Sequence, residues 1–116
     1  MNIELLLLCF AAHFVADFPL QNSYMATMKR EIFRHPHGFW VLTAHAATHF
    51  FIIALISDSL IIASIVGITH WCIDFLRGSY WLAEKLHRKD KELFPIHLDQ
   101  FLHLLIIALS LALYMN

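Results

Sequence analysis

His70-Trp71-Cys72-Ile73-Asp74 sits inside the apolar run Leu60 to Leu76, and its reading decides the fold. A histidine and an aspartate four apart share one face of a helix, and here both lie where hydrocarbon is expected. The arrangement recurs: His13 and Asp17 stand in the first apolar run, His45 and His49 in the second, Asp99 and His103 in the last. Five histidines and three aspartates thus project from four hydrophobic segments.

The segments are Met1 to Phe18, Gly38 to Ile56, Leu60 to Leu76 and Leu98 to Met115. Each approaches the ~20 residues, or the lower limit of ~17, that cross a bilayer core. A chain of 116 residues with 59% hydrophobic residues and a mean hydropathy of +0.64 is too apolar for an ordinary soluble domain of that size. The expected fold is therefore all-α, a single membrane domain over 1–116: an up-down bundle of four transmembrane helices. The first run lacks a basic residue ahead of its apolar stretch and carries His13 and Asp17, so it is read as a span, not a cleaved signal. Cys9 and Cys72 fall on different spans without a CxxC and are read as small packing residues.

Loop charge fixes the expected orientation. All eight Lys and Arg residues fall in 19–37 and 77–97, while 57–59 is a tight hairpin. The positive-inside rule makes those two loops cytoplasmic and puts both termini outside the bacterial inner membrane. Within the loops, Tyr24, Met25, Met28 and Ile32 recur at helical spacing, as do Trp81, Leu82 and Leu86. Two short amphipathic interfacial segments are expected there. His35, His37, His87 and His97 are read as solvated, although His97 is close enough to Asp99 to join it.

In this topology the polar pairs fall at one level. His13 lies five residues before Phe18, His45 seven after Gly38, His70 seven before Arg77 and His103 five after Leu98. At about 1.5 Å per residue, all four are roughly 7 to 11 Å below the cytoplasmic boundary. An unanswered aspartate in a span costs about 2.5 to 3.5 kcal/mol, so three would cost roughly 8 to 10 kcal/mol. With no Lys or Arg in the spans, the histidines are the partners available, either as hydrogen-bonding glue or as co-ligands of a metal.

Metal binding accounts for residue type as well as number. His13, Asp17, His45, His49, His70, Asp74, Asp99 and His103 exceed one tetrahedral shell, so the expectation is one or two divalent ions, with some residues orienting the ligands. Zinc is the first choice, with iron or manganese next. Hydrolysis of a phosphorylated or lipid-like substrate from the cytoplasmic side is the leading expectation, with Asp17 or Asp74 as general base. The alternative is a non-enzymatic membrane protein: a carrier of metal or protons, or a phage–host, holin-like or immunity protein. Expected partners are membrane lipids and a second copy of the chain, with no nucleic acid. Gln21, Gln100, Asn22, Thr48 and Thr69 adjoin the site, with capping and solvation as their ordinary roles.

His13-Phe-Val-Ala-Asp17-Phe-Pro-Leu-Gln21, followed by His45 to His49, His70 to Asp74 and Asp99-Gln100-Phe-Leu-His103, resembles the small bacterial and phage membrane proteins grouped as domain-of-unknown-function family 3307. The resemblance covers nearly the whole chain. It implies a compact integral membrane protein and supplies no activity. More distantly, the pattern looks like membrane hydrolases that build a zinc site from helix-borne His and Asp, such as ceramidases and adiponectin-type receptors. Their seven spans and serine are not present here.

Overall fold

A computed structural model describes residues 1–115. Its six helices are α1 (Ile3–Asp17), α2 (Ser23–Met28), α3 (Gly38–Ser57), α4 (Leu60–Gly78), α5 (Tyr80–Lys85) and α6 (Ile96–Tyr114). Their ends have local causes. The side chains of Asn2, Asn22, Ser59 and Ser79 accept from backbone N–H groups in the first turns of α1, α2, α4 and α5, which otherwise have no intrahelical partner. Between α3 and α4 the chain reverses through Asp58 at φ 50°, a left-handed conformation that Asp tolerates better than most residues.

Three helices, α3, α4 and α6, are long and apolar enough to cross a membrane. The first expected span is shorter than the sequence suggests. Asn2 caps α1 at its start, and Pro19, with no N–H to donate, stands two residues past its end. The resulting 15 residues rise about 22 Å. In the two loops where amphipathic segments are expected stand the short helices α2 and α5, six residues each.

Contacts run from α1 to α3, α3 to α4, α4 to α6 and α6 back to α1, closing a ring of four helices. Its interior is layered with the helix period. His13, His49, His70 and His103 form one buried layer. Four residues along each helix in one direction come Asp17, His45, Asp74 and Asp99. Four residues in the other direction come Cys9, Ile53, Val66 and Ile107, all in the apolar core. The bundle is thus polar at one end of its axis and apolar beyond it. Gly67 lets α4 approach α3 closely, since a Cβ there would lie 3.0 Å from that of Phe50.

The exterior is inverted relative to a soluble protein. Trp40, Phe51, Leu55, Leu60, Ile68 and Leu113 are each more than half exposed, and apolar surface on that scale calls for a nonaqueous neighbour. The molecule measures 43 × 23 × 22 Å, a long axis close to the ~40–45 Å of a bilayer with its headgroups.

Candidate metal centre

The backbone brings all eight expected residues into one cluster. Three overlapping groups have ligand atoms close enough for an ion: His13, Asp17, His49 and His70; His45, His70 and Asp74; and Asp74, Asp99 and His103. Every side chain among them is at most 9% exposed.

Asp17 is the hub of the first group. Its Oδ1 lies 2.9 Å from His49 Nε2, 3.2 Å from His45 Nε2 and 3.5 Å from His70 Nε2. Asp74 approaches the same pair of rings, with Oδ2 3.4 Å from both His45 Nε2 and His70 Nε2. The two Nε2 atoms are themselves 3.1 Å apart. That contact holds one proton at most. A nitrogen of this pair that carries no proton turns a lone pair toward carboxylate oxygens at 3.2 to 3.5 Å, a repulsion that a metal ion among them would relieve. The edges also have the right size. Four ligands placed tetrahedrally at about 2.0–2.1 Å from zinc are about 3.3 Å apart.

In the third group a backbone atom sets the chemistry. His103 Nδ1 lies 2.8 Å from the Asp99 carbonyl oxygen. A carbonyl can only accept, so Nδ1 carries the hydrogen and the neutral ring presents Nε2 as a lone pair. This Nε2 is buried with no hydrogen-bond partner, as is Asp99 Oδ1. Asp74 Oδ1 lies 3.8 Å from Nε2. Three ligand-type groups with two orphaned atoms suit an ion better than a closed hydrogen-bond network.

Residues around the cluster hold it in shape. The Gln100 amide donates to Asp17 Oδ2 at 2.8 Å and to Asp99 Oδ2 at 3.1 Å. With its nitrogen committed to carboxylates, its Oε1 accepts from His13 Nε2 at 3.0 Å. His13 is therefore placed to orient Asp17 and Gln100. Gln21 donates to the Asp17 carbonyl at 3.2 Å.

One partner departs from the sequence reading. Lys29, just past α2, reaches into the cluster and donates to Asp74 Oδ2 at 2.7 Å with its side chain only 16% exposed. The aspartates are therefore not answered by histidine alone. The cation comes from a loop, so a search for charges within the spans misses it. The sequence signal was the amphipathic segment around α2, which carries Lys29 beside its apolar face. Arg30 secures that segment by donating to the carbonyls of Gly78 and Lys91, both at 2.8 Å.

The remaining neighbours have ordinary roles. Thr48 and Thr69 donate to carbonyls of their own helices, and Asn22 caps α2. His97 is exposed, in keeping with its reading as a solvated loop residue, and takes no part in the three groups. His35 and His37 pack on each other away from the cluster.

Residues 5–116 match the family model described as a protein of unknown function, DUF3307, and the chain belongs to that family. No curated protein and no solved structure matches it.

Proposed function

For this member of the DUF3307 family we propose a membrane-embedded, metal-dependent hydrolase of a phosphorylated or lipid-like substrate. The observation that carries it is the 3.1 Å approach of His45 Nε2 to His70 Nε2, with Asp17 Oδ1 and Asp74 Oδ2 on the same pair of atoms. Zinc suits the imidazole-rich donor set best, with iron or manganese next, and the third group offers a second position. His45, His49, His70, His103, Asp17, Asp74 and Asp99 would hold the ions, and His13 would orient Asp17.

A divalent ion there supplies a Lewis acid and acidifies a bound water toward neutral pH. The protein's own groups do the rest. Asp17, Asp74 and Asp99 line a cleft at the polar end of the bundle, so each carboxylate can take up a proton from that side. Asp17 is engaged by four imidazoles, whereas Asp99 keeps an unpartnered oxygen and joins Asp74 and Asp17 as a candidate base. The apolar layer of Cys9, Ile53, Val66 and Ile107 seals the site from the opposite leaflet. That layer argues against a proton or metal conduit, which needs polar groups to continue across the membrane.

In the membrane we propose four spans, with α1 crossing a locally thinned bilayer. The loops 19–37 and 77–97 would face the cytoplasm. Elemental analysis of detergent-purified protein tests the centre: one or two equivalents of metal, lost in His45→Ala, are expected. A metal-free, fully folded protein would leave a hydrogen-bond network only. Release of phosphate or fatty acid from lipid substrates by wild type, absent in Asp74→Asn, tests the activity.

A further inference from the structure

A cleft of about 60 Å³ opens over the cluster. On this measure a single water needs only ~10–15 Å³, so the cleft has room for several waters or for one small tetrahedral anion. Besides the three carboxylates, its lining includes two cations, Lys29 and Arg77, and two amides, Gln21 and Gln100. Arg77 Nη2 donates to Glu92 at 3.1 Å, but its Nε–H is buried without a partner. Gln21 Oε1 is also buried without one. An unpartnered donor and an unpartnered acceptor among the lining residues match the P–O⁻ and P–OH of a phosphate monoester. The rim is different in kind: Phe18 and Ile96, 52% and 49% exposed, flank the mouth between the end of α1 and the start of α6.

We propose that this cleft binds the phosphate head of an amphiphile, with Arg77 and Lys29 as cationic contacts and Phe18 and Ile96 against the apolar part. The proposal rests on the metal reading above, because three bare carboxylates would repel an anion at this range. Lys29 donates to Asp74 Oδ2, and a metal held by Asp74 would weaken that bond by drawing on the same carboxylate. The ammonium would then be free to contact an anion in the cleft it already lines. Arg77 offers a planar fork suited to phosphate. The apolar rim favours a substrate presented from the membrane over one from water.

The test uses the full chain, zinc-loaded in phosphatidylcholine nanodiscs, titrated with inorganic phosphate and with dioctanoyl phosphatidate while ³¹P resonances are followed. Phosphatidate is expected to bind at least tenfold tighter than phosphate. Arg77→Met and Lys29→Met should each weaken both ligands tenfold or more at unchanged zinc content, with Lys29→Arg retaining binding. Phe18→Ser/Ile96→Ser should erase only the advantage of phosphatidate. Equal affinities across all variants, or no phosphate binding by zinc-loaded wild type, would overturn the anion site and leave the metal centre standing. A wild type that takes up no zinc would overturn both.

Discussion

His70→Ala separates a metal centre from a hydrogen-bonded core. The imidazole belongs to two of the three ligand groups and lies within 3.5 Å of Asp17 Oδ1, Asp74 Oδ2 and His45 Nε2. Its removal leaves a cavity and unpaired neighbours under either reading, so the absolute loss of stability decides nothing. The metal-dependent part does. Loss of a residue that merely orients a ligand lowers metal affinity about 10–100-fold, and loss of a ligand should reach at least the upper figure. A hundredfold loss corresponds to about 2.7 kcal/mol. Zinc at a thousand times its Kd stabilises wild type by about 4.1 kcal/mol, so the variant should keep only about 1.4 kcal/mol of that gain. The assay is thermal unfolding in detergent followed by tryptophan fluorescence, with EDTA and with excess zinc. Wild type should show a zinc-induced rise in Tm roughly three times that of the variant. An identical destabilisation of His70→Ala in EDTA and in zinc would refute the reasoning, because a proton-only network is indifferent to the metal.

Gln100→Leu keeps the side-chain volume but strips partners from His13, Asp17 and Asp99. Zinc affinity, measured by chelator competition, should fall about 10–100-fold, and wild-type affinity would show that the amide positions nothing. Gly38→Ala places a Cβ 2.3 Å from the Glu31 carbonyl oxygen and 2.7 Å from Ile32 N. These are backbone atoms that cannot swing aside, so a loss of about 1–3 kcal/mol or more is expected; an unchanged Tm would contradict the packing of 31–38. For orientation, Asp58→Cys in a Cys9→Ala/Cys72→Ala background should react with an impermeant maleimide on spheroplasts. Lys89→Cys should react only after lysis, and the reverse pattern would invert the topology.

Local pattern along the chain is enough to specify the helices and the lattice of ligand-type residues on them. The ends of α3, α4 and α6 fall within two residues of the apolar runs that predict them, because helix length and the i, i+4 face are local properties of the chain. The same periodicity put His70 beside Asp74 and predicted that eight such residues would share a level. It could not say which nitrogen faces which oxygen. That was decided where α1, α3, α4 and α6 close their ring, making Asp17 the hub and giving Gln100 two carboxylates to bridge. The Asp99 carbonyl selected the tautomer of His103 only once the ring's rotamer was set. Lys29 entered because the segment after α1 folds over the polar end of the bundle, bringing together residues 45 apart in sequence. Periodicity ranks faces of a helix, but contacts between distant segments are set by how the helices pack.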